Sequence, residues 1–130
     1  MGKRILVQRK GRGGSQFRAN THKRRGTVRY PQLHAIDYKR VLREMKVIEL
    51  LHDPGRGAPI MRVRDVDSKL HLLLAPEGIQ VGQKIFQGPI APIKIGTIMP
   101  LKNIPDGTYI HNIELRPGDG GAMVRSSGGF

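Results

Sequence analysis

The sequence predicts an all-β fold: a small antiparallel barrel behind a long basic N-terminal extension. Two observations carry that reading. Residues 1–30 hold ten Lys or Arg side chains and no carboxylate. Beyond Asp37 the pattern changes to short apolar runs punctuated by Gly/Pro turns, with room for at most one short helix.

The extension comes first. Its cations are Lys3, Arg4, Arg9, Lys10, Arg12, Arg18, Lys23, Arg24, Arg25 and Arg29, and the first acid is Asp37. The whole chain carries 23 basic and 10 acidic residues, a formal charge of +13. Residues 37–130 hold 13 of those cations and all ten acids, so ten units of the surplus sit in the extension. Charge this lopsided finds no partner within the segment, and nucleic-acid phosphate is the polyanion that best matches it. Arg outnumbers Lys here, and a guanidinium grips a phosphate through two parallel hydrogen bonds. Gly11, Gly13 and Gly14 let backbone lie close against phosphates and oppose an amphipathic helical presequence. Alone in water the arm is expected to be disordered, having little apolar surface to offset the entropy of ordering. The plainer alternative is a solubilising tail.

The barrel elements follow in order. Gln32–Lys39 reads as an entering strand. In Val41–Leu51 a helical face (Val41, Leu42, Met45, Ile48, Leu51) competes with strand-like Val47-Ile48, and periodicity leaves both open. His52–Pro59 holds two Pro and two Gly in eight residues and is a turn. Met61 and Val63 then alternate with Arg62 and Arg64, giving one buried and one basic strand face. Asp65–Ser68 reverses the chain into an apolar strand, Lys69–Ala75. Pro76-Glu77-Gly78 turns it toward a short strand at Lys84–Gln87. Pro89 and Pro92 break the next stretch, and Thr97–Pro105 has room for one helical turn. In Thr108–Leu115 a last strand is expected, with Tyr109, His111, Ile113 and Leu115 on one side. The glycine-rich run Arg116–Gly121 reads as a flexible joint. The expected division is an RNA-binding extension at 1–35, a barrel at 36–115 and the joint at 116–130.

Several chemistries lack their residues. With no Cys there is no disulfide, thiolate zinc site or thiol nucleophile. His22, His34, His52, His71 and His111 show no metal-ligand spacing, and each suits a strand edge or a phosphate contact better. Asp65 and Asp67 flank a turn, where Asp is expected for backbone bonding. Gly11-x-Gly13-Gly14 follows no strand and is no dinucleotide fingerprint. Few aromatics and no Trp disfavour a base-stacking platform, so contact through backbone, shape and charge is expected. Ile5–Val7 is too short for a signal peptide's apolar core, and no stretch suggests a membrane span. A cytoplasmic, non-enzymatic RNA binder is the expectation.

Particular words sharpen this. Gln8-Arg9-Lys10-Gly11-Arg12-Gly13, Phe17-Arg18-Ala19, His22-Lys23-Arg24-Arg25-Gly26, His52-Asp53-Pro54-Gly55-Arg56-Gly57-Ala58-Pro59, Ala75-Pro76-Glu77-Gly78 and Pro117-Gly118-Asp119-Gly120-Gly121 occur in this order. Together they resemble the universal large-subunit ribosomal protein of the L-two family, in its archaeal and eukaryotic style, over essentially the whole chain. The resemblance implies an oligonucleotide-binding (OB) barrel, a strand from Lys46 onward, and a role in binding large-subunit ribosomal RNA beside neighbouring ribosomal proteins. It implies no cofactor, and any nearby Mg²⁺ would belong to the RNA. Under that reading the arm cations from Arg9 to Arg29 and Arg56 in the matching turn are RNA ligands; on charge alone Lys3, Arg4 and His22 join them, and Arg62 and Arg64 either extend the same surface from their strand face or merely solubilise it. Family members continue past the glycine-rich run into an SH3-like barrel. This sequence stops at Phe130, near that barrel's start, so no residue here is given the roles of the family's C-terminal half.

The expected function is therefore a structural constituent of the large ribosomal subunit. The alternative is a free-standing OB-type RNA-binding or RNA-chaperone module, and a more distant rival is a hydrolytic enzyme. Deleting residues 1–30 is expected to leave a folded barrel that binds RNA far more weakly.

Overall fold

Period-two patterning is realised where it is cleanest. In a computed structural model that describes residues 2–32 and 42–130, four strands form: β1 (Arg43–Leu51), β2 (Ile60–Asp65), β3 (Leu70–Leu74) and β4 (Lys84–Gln87). They make one antiparallel sheet in the order β3-β2-β1-β4. The ambiguous Val41–Leu51 segment is a strand from Arg43. Its register against β2 slips between Val47 and Glu49, leaving Ile48 as the extra residue of a bulge. That slip is why its apolar positions mimic helical spacing.

The two sheet faces bury different clusters. Met45, Val47, Met61, Val63, Leu73, Ile79 and Ile85 make the larger one, with Tyr30, Ala75 and Ile98 packed against it. On the other face Ile60 and Leu74 pack with Val28, flanked by Leu51, Ala58 and Leu72. Val28 is 1% exposed. The polypeptide thus joins the packed body inside the stretch that charge assigns to the extension. A bare 1–30 deletion would strip a core residue. Such a deletion is therefore expected to weaken the packed body as well as to remove the cations.

Irregular chain covers both sheet edges. Beside β3, the Arg29 N–H donates to the Leu72 carbonyl (3.2 Å). Beside β4, the Ile98 N–H donates to the Phe86 carbonyl and the Gly88 N–H to the Ile98 carbonyl, both at 2.9 Å. Such contacts shorten the stretch of edge open to another chain. The expected helical turn is a 3₁₀ turn, Leu101–Asn103.

Other expectations need correction. Among the described residues the sheet has four strands, not five or six. Thr108–Leu115 is not a strand: Asn112 takes a left-handed backbone (φ 53°), which ends extended pairing, and only the bridge Ile113–Met123 remains. Tyr109 and Leu115, expected on one strand side with His111 and Ile113, are 78% and 66% exposed. The glycine run is tied down rather than loose. Gly118 and Gly120 donate backbone N–H to Glu114, and Gly121 to Asp119. A Cβ on Gly120 would stand 2.7 Å from Arg29 Cβ, and one on Gly121 2.3 Å from Asn112 Oδ1. Apart from Gln32, the expected strand Gln32–Lys39 lies outside the described residues. Residues 2–24 hold the short helix α1 (Leu6–Lys10) and a 3₁₀ turn at Asn20–Lys23, and their hydrogen bonds among the described residues stay local.

Two outcomes follow. Val63→Asp, placing an unpaired charge at a fully buried position, is expected to cost roughly 3 kcal/mol or more of stability in chemical denaturation. Removing residues 1–23 should leave the denaturation midpoint near the parent's. Removing residues 1–30 should lower stability by about 1.5–3 kcal/mol through loss of Val28 alone.

Candidate nucleic-acid interface

The His52–Pro59 turn is built around a buried acid. Asp53, 1% exposed, accepts the N–H of Gly55 (3.2 Å) and of Arg25 (3.3 Å) on one oxygen. Its other oxygen is ion-paired with Arg56 Nη1. Burial pushes the Asp53 carboxyl up, but the Gly55 N–H, the Arg56 guanidinium and the Arg25 N–H together hold it below its ordinary value. Arg56 also donates from Nη2 to the Gly26 carbonyl (3.0 Å), and its side chain is 17% exposed. One carboxylate and one guanidinium therefore fasten the incoming basic segment to the β1–β2 connection.

Around this clamp other guanidiniums gather. Arg29 Nη1 donates to the Asp119 carbonyl (3.0 Å) while its side-chain stem lies on Gly120. Arg125 Nη2 donates to the Val28 carbonyl (2.6 Å). Burial, followed by the positive charges of Arg56, Arg29 and Arg24, pushes Arg125 below its ordinary value. An arginine does not deprotonate in a protein, so this direction records a partly buried guanidinium repelled by three other cations and only partly offset by the Asp119 carboxylate. The nearby acids are engaged: Asp53 by the clamp, and Asp119 by the N–H groups of Gly121, Arg116 and Leu115. A bound polyanion would relieve that repulsion.

Sequence-predicted residues divide into three groups. Lys3, Arg4, Arg9, Lys10, Arg12, Arg18, His22 and Lys23 are exposed along residues 2–23, and no carboxylate pairs with them among the described residues. Arg24, Arg25, Arg29 and Arg56 come together at the clamp. Arg56 spends two of its donors inside the protein, leaving fewer for a ligand than its turn position suggests. Arg62 and Arg64 lie apart on β2, where Arg62 is ion-paired with Glu49 and Arg64 stays exposed. Sequence reasoning missed Arg125. Its neighbours are neutral, so no run of charge marks it; only its place after the glycine segment hints at a role.

Among the described residues the histidines do not assemble a centre. His71 Nε2 is buried without a hydrogen-bond partner, 3.9 Å from Asp65 Oδ2, and burial pushes its imidazole down. Among the described residues, no three of His, Cys, Asp and Glu gather closely enough to hold a metal ion. No helix among them is long and apolar enough to cross a membrane.

Comparison with known proteins decides the family. Residues 2–87 match the family described as Ribosomal Proteins L2, RNA binding N-terminal domain. The chain belongs to the ribosomal protein L2 family. Residues 94–130 match the L2 C-terminal domain. The large ribosomal subunit protein uL2 of Thermofilum pendens is 49% identical over the whole chain, which covers 52% of that relative. Its counterpart in Methanococcus maripaludis is 46% identical over 98% of the chain and 53% of the relative. That of Methanothermobacter thermautotrophicus is 43% identical over 100% and 54%. The chain spans about half the length of these relatives. Asp53, Arg56, Arg25 and Arg29 fall in the N-terminal L2 match and Arg125 in the C-terminal one, so the arginine cluster joins both.

The clamp sets a pH dependence. Asp53 has a lower carboxyl pKa folded than unfolded, so its contribution is complete above the unfolded value, about 3.9. It is lost as pH falls from there through the depressed folded value. Acid titration followed by circular dichroism should show the parent losing stability across that window. Asp53→Asn should be less stable at pH 7 and flatter across the window.

Proposed function

We propose that this chain is a structural constituent of the large ribosomal subunit, binding ribosomal RNA in the cytoplasmic ribosome beside neighbouring ribosomal proteins. The observation that carries the reading is the convergence of Arg24, Arg29, Arg56 and Arg125 where the basic arm meets the sheet. Family membership and the RNA-binding description of the matched N-terminal domain support it.

The proposed mechanism is electrostatic and geometric. Residues 1–24 supply cations that neutralise phosphates where RNA segments approach closely, lowering the repulsion between them. The clamp fixes the direction in which the arm leaves the sheet, and the cluster gives a rigid contact beside the adaptable one. No cofactor and no catalysis enter this role; Mg²⁺ near the interface would be held by RNA. The extension, sheet and glycine-rich segment are proposed to act as one binding surface.

Double substitution Arg29→Gln with Arg125→Gln should lower the log–log salt slope of binding to large-subunit ribosomal RNA fragments by about 2, at roughly 0.9 per neutralised duplex phosphate. An unchanged slope would remove the cluster from the interface. Co-sedimentation with intact large subunits in high salt separates a resident constituent from a transient chaperone, which washes off.

A further inference from the structure

Lys46 stands directly opposite Arg64 across β1–β2 and directly opposite Lys84 across β1–β4. Opposite residues of antiparallel strands share a sheet face, so Lys84, Lys46 and Arg64 form one row over three adjacent strands. All three are exposed. At roughly 4.8 Å between strands, the row spans about 10 Å of backbone.

Such a row works against the sheet. Like charges placed directly opposite one another are destabilising, and the same face shows the ordinary remedy nearby: past the Ile48 bulge, Glu49 faces Arg62 and is ion-paired with it. In the row itself one acid helps. Glu44 holds Lys84 at 2.7 Å, while Lys46 and Arg64 have no carboxylate partner among the described residues. Asp65, the other acid on these strands, is buried on the opposite face with Arg43 at 3.2 Å. The row is separate from the arginine cluster, whose members lie on the incoming arm, the β1–β2 turn and the glycine-rich segment.

We propose that Lys84, Lys46 and Arg64 form a second phosphate-tracking contact, taking one strand of RNA backbone across the exposed sheet face. The proposal rests on the RNA-binding reading above and extends it to a surface outside the arm. Three cations in line suit a linear series of phosphates better than one compact anion. Exposed Leu70, opposite Arg64 on β3, ends the row on an uncharged residue.

The test compares the full chain with Lys46→Gln/Arg64→Gln on transcribed large-subunit ribosomal RNA fragments over a range of salt, with Lys84→Gln as an independent single variant. The double variant should lower the log–log salt slope by about 2 and the single variant by about 1. The melting temperature of the free chain should stay level or rise, because an opposed like-charge pair has been removed. Unchanged slopes beside a parent that binds RNA would overturn the row and leave the arginine-cluster reading standing. A parent without salt-dependent RNA binding would overturn both. Capture of poly-glutamate by the parent but not by the double variant, with RNA slopes unchanged, would assign the row to an acidic protein neighbour and overturn the RNA assignment.

Discussion

The buried carboxylate of Asp53 is the constraint from which the interface takes its shape. A charged group at 1% exposure is tolerable only if its lone pairs are met, and here they are met from two directions. Gly55 and Arg56 come from its own turn, Arg25 from the incoming arm. Arg56 then closes the loop by donating to the Gly26 carbonyl. Without the acid, the guanidinium would be half-buried beside three other cations. Without the guanidinium, the acid would be buried alone. An ion pair of this kind is weak evidence of stability compared with an apolar replacement, but losing one partner is costly. Its contribution is therefore geometric: it fixes the arm's exit relative to the sheet.

That arrangement explains what was legible in the sequence and what was not. Met61, Val63 and their alternating arginines could be read because β2 is flanked on both sides and each position has one environment. The OB-like all-β class followed from such strands and their turns. The arm's charge was legible because it needs no folding to be seen. Its boundary was not: Val28 looks unremarkable between Thr27 and Arg29, and only tertiary packing against Ile60 and Leu74 makes it core. The turn around Arg56 is plain in the sequence, but that Asp53 three residues earlier holds its guanidinium is not. Arg125 carried no local signal, since its role arises from a contact with Val28, 97 residues away in sequence.

Cations on this chain fall into two electrostatic regimes. On residues 2–23 they are solvated, without long-range hydrogen bonds among the described residues, and screened within about 8–10 Å by salt. At the clamp they are crowded, with Arg29, Arg56 and Arg125 each oriented by a backbone carbonyl and Arg56 and Arg125 partly desolvated. The first kind is proposed to adapt to the RNA backbone it meets, gaining affinity mainly through counterion release. The second is preorganised, so less ordering remains to be done on binding. Placing both at one junction lets a loose segment be guided by a rigid one.

The rigid half stores strain to do so. Asn112 and Val124 both adopt left-handed backbone (φ 53°), and the Asn112 N–H donates to the Val124 carbonyl at 2.9 Å. For a β-branched residue this conformation is a true outlier, of order 1–3 kcal/mol per strained residue. The surroundings over-determine it. The Tyr30 hydroxyl donates to the Asn112 carbonyl (3.1 Å), Ile113 bridges to Met123, and Gly121 leaves room for the Asn112 amide where a Cβ would collide with it. Val124 immediately precedes Arg125, so the strained turn is what aims that guanidinium back at Val28 and into the cluster. A relaxed extended path through Val124 would carry Arg125 away from the arm. The strain at Val124 and the repulsion at Arg125 thus belong to one structure, in which the surrounding hydrogen bonds and packing offset both and hold together charges that RNA phosphate is proposed to match.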